Sequence, residues 1–332
     1  MTFSSVTMGR RQFLALGAGA FALTGMSSVA SADTYPTHPV RLIIGFTPGA
    51  ASDVVGRIFA HGAGEVIGQQ IVAENKPGAG SSIAAQYVAR SAPDGYTLFL
   101  PALSGLTNEI VNPSSPPLDM SKDFASIAQF AEGPFYITVN PALGVKTVAE
   151  LVALAKAKPS ELTYASVGAG SLPHLCAVLF EQRTGTKWVH VPYPGSPESI
   201  TDLVANRITM TFAVASSVLG QVNAGQLVTL ATTGGKRSNV LPNAPTMAEA
   251  GIPDFEVNLW LGVLAPKGTP AAVIATLADA AHKAAQNADI VEALHKQGYE
   301  PIDLGPAAFG ANIRKEIARW SEVARAAGLI KA

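Results

Sequence analysis

Thr47 and Ser52 bracket the turn Pro48-Gly49-Ala50-Ala51, and Asp53 follows directly. The stretch from Val40 to Ile58 reads as a buried apolar strand, a small-residue turn with hydroxyls on both sides, and then a helix. The first backbone N–H groups of such a helix lack internal partners, and its dipole places about half a positive charge there. A carboxylate or phosphate is therefore favoured at that spot. The design recurs from Leu162 to Phe180, where Ser166, Gly168 and Gly170 lead to a helix opening near Ser171, with Pro173 in its first turn and His174 beside it. Proline costs nothing there, because its missing N–H would have been unpaired anyway. Two anion seats of one kind, more than a hundred residues apart, predict two lobes gripping one anionic ligand.

The elements that must position these seats alternate along the chain. Apolar runs at 40–46, 96–100, 135–139, 162–166, 208–214 and 227–232 read as strands, each followed by glycine, proline or a hydroxyl residue. Between them, Val148, Leu151, Val152 and Ala155, and later Ile313, Ile317, Trp320 and Ala324, recur at helical spacing and mark core-facing stripes. This is the pattern of an α/β protein whose mostly parallel sheets are flanked by helices. A first crossing between lobes is expected near Glu132–Pro134 and a return near Asp254–Asn258. The first lobe is then discontinuous, 33–132 plus 256–332, and the second runs over 133–255.

Arg10-Arg11-Gln12-Phe13-Leu14, an apolar run and Ala30-Ser31-Ala32 make residues 1–32 an export signal of twin-arginine type, with the mature chain expected to start at Asp33. The apolar run is shorter than the ~20 residues of a membrane span. The predicted mature chain has 300 residues and a net charge near −3, from 21 basic and 24 acidic residues, with no basic tract for nucleic acid. The single cysteine, Cys176, excludes an intrachain disulfide. It lies on an apolar stripe and reads as a small buried hydrophobe. The six histidines lack metal-ligand spacing, and no nucleophile elbow, zinc motif or phosphate-loop lysine is present. No cofactor, metal or catalytic residue is assigned.

The segments YPTHPVRLIIGFTPGAASD, IVAENKPGAGSSIAA, APDGYTLFL, VHVPYPGS, LPNAPTMAEAG, LAPKGTP and EIARWSEVARAAG cover nearly all of the predicted mature chain. In that order and spacing they resemble the Bug family of extracytoplasmic solute receptors, the substrate-binding proteins of tripartite tricarboxylate transporters. The resemblance implies a two-lobed fold like the type II periplasmic binding proteins, in the periplasm, monomeric, closing on a small carboxylate without catalysis and serving transporter membrane subunits. Carried over by position, it places the first-lobe seat at Phe46, Thr47, Pro48, Gly49, Ala50, Ala51, Ser52 and Asp53, with Ser104. The second-lobe seat is Ser166, Gly168, Gly170, Ser171 and His174. Ala50 stands where many members have a second glycine, and Ala213 where amino-acid-binding members have an aspartate. The ligand implied is an amine-free aliphatic or aromatic carboxylate.

Simpler roles compete for several of these positions. Asp53 suits a helix-start carboxylate that satisfies its own first-turn N–H groups. Thr47 and Ser52 divide into one ligand contact and one cap. Ser171 and Ser196 suit N-caps, and His174 a neutral hydrogen-bonding residue of the pocket wall. Phe46 and Trp260 fit core and ligand contact equally well. Two other outputs compete with transport: a receptor feeding a sensor, and a secreted hydrolase.

Overall fold

The computed structural model describes Thr2 and residues 35–330. Apart from Thr2, the expected export segment lies outside the described residues. Ten strands and ten helices form in the order β1 (Val40–Ile44), α1 (Ala51–Ile67), β2 (Ile71–Asn75), α2 (Ser82–Ala89), β3 (Thr97–Leu100), α3 (Leu103–Val111) and β4 (Phe124–Val139). There follow α4 (Val148–Ala157), β5 (Thr163–Ser166), α5 (Leu172–Thr184), β6 (Val189–Pro192), α6 (Ser196–Val204), β7 (Met210–Val214), α7 (Ala215–Asn223) and β8 (Val228–Thr232). The chain closes with β9 (Asn258–Pro266), α8 (Ala271–Gln286), α9 (Ala288–Lys296), β10 (Glu300–Leu304) and α10 (Pro306–Ala326).

All six expected strands are present. The structure adds β2, β6, β9 and β10, and extends the run at 135–139 back to Phe124. The strands join one curled mixed sheet in the order β2-β1-β3-β9-β4-β7-β5-β6, with β8 and β10 also on β4. Pairing is parallel where strands are linked by helices, β1 with β2 and β3, β5 with β6 and β7. Every antiparallel pair involves β4 or β9. The two halves of β4 have different neighbours. Phe124–Pro134 pairs with β9, while Phe135–Val139 pairs with β7, from Phe135 opposite Val214 to Val139 opposite Met210. The change falls at Glu132–Pro134, where Asn258 Nδ2 donates to Glu132 Oε1 at 3.1 Å.

Burial follows the apolar periodicity. Val148, Leu151 and Ala155 of α4 and Ile313, Trp320 and Ala324 of α10 are buried, with Val152 and Ile317 at the edge of the core. Trp320 Nε1 donates to Glu316 Oε2 at 2.7 Å, which satisfies a polar atom inside an apolar layer. Cys176 is fully buried, and burial pushes its thiol pKa up. Among the described residues no helix is long and apolar enough to cross a membrane.

Candidate functional site

A cavity of about 1290 Å³ lies against the C-terminal ends of β1, β3, β5 and β7, where the chain turns into the helices that follow. Six helices begin on its wall: α1 through Ala50–Ser52, α2 through Ser81, α3 through Ala102 and Ser104, α5 through Pro173, α6 through Gly195–Pro197, and α7 through Val214 and Ser216. None of the six has a side-chain cap. Of the helices opening elsewhere, α4 and α9 are capped, by Thr147 and Asn287. Among the described residues no Asp, Glu, Lys, Arg or His lines the cavity. Its polar groups are serine and threonine hydroxyls, three glutamines and backbone, set among Phe46, Phe135, Phe212 and Leu259. Helix starts supply the positive potential that side chains do not.

The first seat is built from below. Gly49 adopts φ +79°, which glycine accommodates without strain, and turns the chain into α1 at Ala50. Phe46, Thr47, Gly49, Ala50, Ala51 and Ser52 line the cavity. Neither Thr47 nor Ser52 caps α1, so the division of those two into ligand contact and cap does not hold. Asp53 is 4% exposed and points away from the cavity. Its Oδ2 accepts the Gly49 N–H at 2.9 Å, and its Oδ1 accepts Asn75 Nδ2 at 2.9 Å and pairs with Arg57 at 2.8 Å. Asn75 also donates to Phe46 O at 2.9 Å. Asp53 therefore holds the turn preceding the helix rather than capping the first turn or forming the wall. Burial raises its carboxyl pKa, but the bonds from Arg57, Gly49 and Asn75 outweigh burial and hold it below the ordinary aspartate value.

In the second seat only Ser166 and the residues Val167 and Pro173 reach the cavity. Gly168, Gly170, Ser171 and His174 do not line it, because the loop after β5 is turned onto α3. Asn112 Nδ2 donates to Ala169 O at 2.8 Å, and the Leu172 N–H at the start of α5 donates to Ser104 Oγ at 3.3 Å. Ser104 itself lines the cavity, so one hydroxyl links the two seats. Ser171 precedes α5 without capping it and gives its hydroxyl to Gly168 O at 2.7 Å. Ser196 is likewise no cap: Gly195 holds that position, and Ser196 lines the cavity. His174 lies behind the wall, 5% exposed, with Nδ1 accepting the Gly170 N–H at 3.0 Å. Its ring stacks on His190 at 4.2 Å, and His190 Nε2 lies 2.6 Å from Ser166 Oγ. Trp260, 3% exposed, is core: it meets Phe309 edge-on and is absent from the wall. Ala213 does line the cavity.

Burial, then the neighbouring His190, depresses the His174 pKa to about 4. A histidine that resists protonation when folded contributes stability above its unfolded value near 6.5, and that stability is lost as pH falls toward 4. Melting temperature is expected to fall over this window. His174→Gln, which keeps an acceptor for Gly170, should flatten the slope by up to roughly 3 kcal/mol in total. An unchanged slope in thermal melts between pH 7 and 4 would place the titration elsewhere.

Sequence reasoning did not bring the start of α2 to the site, read Ser196 at the start of α6 only as a cap, and reached the start of α7 only through the adjacent Ala213. One signal was present: Pro77-Gly78-Ala79-Gly80-Ser81 repeats the pattern of Pro48-Gly49-Ala50-Ala51-Ser52, each ending on a serine at a helix start. Residues 55–329 match the tripartite tricarboxylate transporter family receptor. The chain belongs to this receptor family. Protein BugT of Bordetella pertussis is 35% identical over 308 residues, 92% of this chain and 94% of BugT. The structure of R. palustris Rpa4515 with adipate is 34% identical with a TM-score of 0.81, covering 89% of this chain and 98% of that one. MatC from Rhodopseudomonas palustris with bound malate is 26% identical with a TM-score of 0.78, covering 87% and 99%. As a Bug-family receptor, the chain has the α/β fold of the periplasmic binding proteins, and its relatives are solute-binding proteins.

Proposed function

We propose that this receptor captures a small, amine-free organic carboxylate in the periplasm, as a monomer and without catalysis, and delivers it to the membrane subunits of a tripartite tricarboxylate-type transporter. The observation that carries this reading is the ring of six uncapped helix starts around a cavity whose wall has no charged side chain. Cationic walls would suit polyanions of many shapes. Helix starts and hydroxyls instead select a compact anion by direction. Hydrogen bonds to a charged group contribute about 1.5–3 kcal/mol each, so four supply the roughly −8 kcal/mol of micromolar binding. Adipate in Rpa4515 and malate in MatC are acids of this kind. An ammonium group would find no carboxylate on the wall, since Ala213 lines it with a methyl group. Phe46, Phe135 and Phe212 provide apolar area for an aliphatic or aromatic body.

The ligand lies between a first lobe of 33–132 plus 256–332 and a second of 133–255. The exchange of β4 partners at Glu132–Pro134 supports that boundary. Closure would rotate the lobes about β4 and the chain before β9; the Asn112 and Ser104 bonds to the loop of the second seat join residues of the two lobes. The test is native mass spectrometry of the exported protein, followed by a denaturing run that identifies any released molecule. A thermal-shift panel of aliphatic acids, aromatic acids and α-amino acids accompanies it. Stabilisation by carboxylates and none by amino acids is expected. A response to amino acids alone, or to no acid at all, would overturn the reading.

A further inference from the structure

The cavity does not end at the helix starts. At about 1290 Å³ it exceeds the roughly 300–1,000 Å³ of pockets that enclose a drug-sized ligand, and its wall continues along α6 and α7 to their far ends. On α6 the wall follows Pro197, Ile200 and Val204, which share one helical face, and on α7 it follows Ser217 and Gln221, one turn apart. Thr211 and Ala213, on a common face of β7, line it too, and Ala213 packs in one apolar cluster with Ile200. Two helix faces and a strand face therefore bound one arm that leads away from the anion seats.

The far end of the arm has a different polarity from the seats. Gln221, half-buried, and Gln226, exposed, both line it, and the Gln226 N–H donates to Gln221 O at 2.9 Å, which sets the two glutamines side by side. Because α6 and α7 both start at the seats, their C-terminal ends frame the far end, each with about half a negative charge. Among the described residues no cation lines the arm to offset them. A carboxylate placed there meets two negative helix ends, whereas a glutamine amide donates to or accepts from a neutral hydroxyl or amide equally well. Ala215 and Gln221 are separated along α7 by about 9 Å of helical rise, so an acid as short as malate, seated at the helix starts, stops short of the glutamines.

We propose that the arm between α6 and α7 sets the ligand class: an elongated monocarboxylate whose acid end sits at the helix starts, whose apolar body lies along Ile200, Val204 and Ala213, and whose neutral polar tail meets Gln221 and Gln226. The inference rests on the carboxylate-receptor reading and narrows it from small acids in general to long acids with one charged end.

Titration calorimetry of the purified protein with malate, suberate and ω-hydroxyoctanoate tests this. The hydroxy acid is expected to bind about tenfold more tightly than suberate, which matches it in length but is charged at both ends, and more tightly than malate. Gln221→Leu, at a position on the arm's rim, should lower the affinity for ω-hydroxyoctanoate relative to malate about fivefold, the ~1 kcal/mol of one neutral hydrogen bond. Val204→Trp, which fills the arm, should lower the same ratio further. Malate binding at least as tightly as the hydroxy acid, or a wild-type ratio in both variants, would overturn the arm and leave the receptor reading standing. Suberate binding as tightly as ω-hydroxyoctanoate would overturn the single charged end. Binding of none of the three, with another acid bound, would overturn the inference alone, and a protein that binds no acid of any kind would overturn the receptor reading with it.

Discussion

Ala213→Asp is expected to weaken carboxylate binding by about two orders of magnitude. Ala213 is 7% exposed, at the end of β7, and forms part of the cavity wall. A fixed carboxylate about 5–6 Å from that of the ligand, at an effective dielectric near 20, costs about 3 kcal/mol, which is roughly a hundredfold in affinity. The surrounding wall offers no cation to absorb the new charge. The same change provides a partner for an ammonium group, so α-amino acids should begin to stabilise the variant. Ala213→Asn, nearly equal in size and neutral, is the control and should lose far less. Titration of each protein with adipate or malate decides the matter. Equal affinity in the aspartate variant would mean that the ligand does not pass near β7.

Removing the Asp53 side chain is expected to damage folding and binding together. Asp53→Ala leaves the Gly49 N–H, the Asn75 amide and the Arg57 guanidinium without their shared partner at an almost fully buried position. Broken buried bonds to a charged group cost about 1.5–3 kcal/mol each, tempered here by relaxation of the exposed Arg57, so roughly 3 kcal/mol in total is expected. For a chain of this size that lowers the melting temperature by about 5 °C. Affinity should fall too, because the turn from Phe46 to Ala50 loses its anchor on α1 at Gly49, and the Asn75 amide that holds Phe46 O loses its own support from Asp53. Asp53→Asn retains an acceptor for Gly49 and should lose less.

The sign of the pH dependence is testable in the same variants. Because the Asp53 pKa is depressed on folding, its contribution is complete above the ordinary aspartate value near 4 and disappears as pH falls through the lower folded value. The stability gap between wild type and Asp53→Ala should therefore narrow in acid. A gap unchanged down to pH 2 would show that the carboxylate's charge contributes nothing.

Local chemistry made much of this receptor legible from residues alone. The six apolar strands, the core stripes of α4 and α10 and the two strand-turn-helix seats are all patterns within about twenty residues, set by periodicity, proline, glycine and helix-start hydroxyls. The seven motifs in family order rest on the same local information. Tertiary structure decided which way those residues face. Asp53 turns inward because Asn75 and Arg57 await it, and Gly168 to Ser171 turn onto α3 because Asn112 donates to Ala169 O and Ser104 accepts the Leu172 N–H there. Trp260 enters the core because β9 pairs with β4 against Phe309, a contact that no local pattern near position 260 announces. The same long-range pairing brings the starts of α2, α6 and α7 to a cavity that local spacing assigned to two loops. Strand pairing across more than a hundred residues and the rotation of a loop onto a distant helix depend on partners far along the chain, whereas an anion-binding helix start is complete within its own turn.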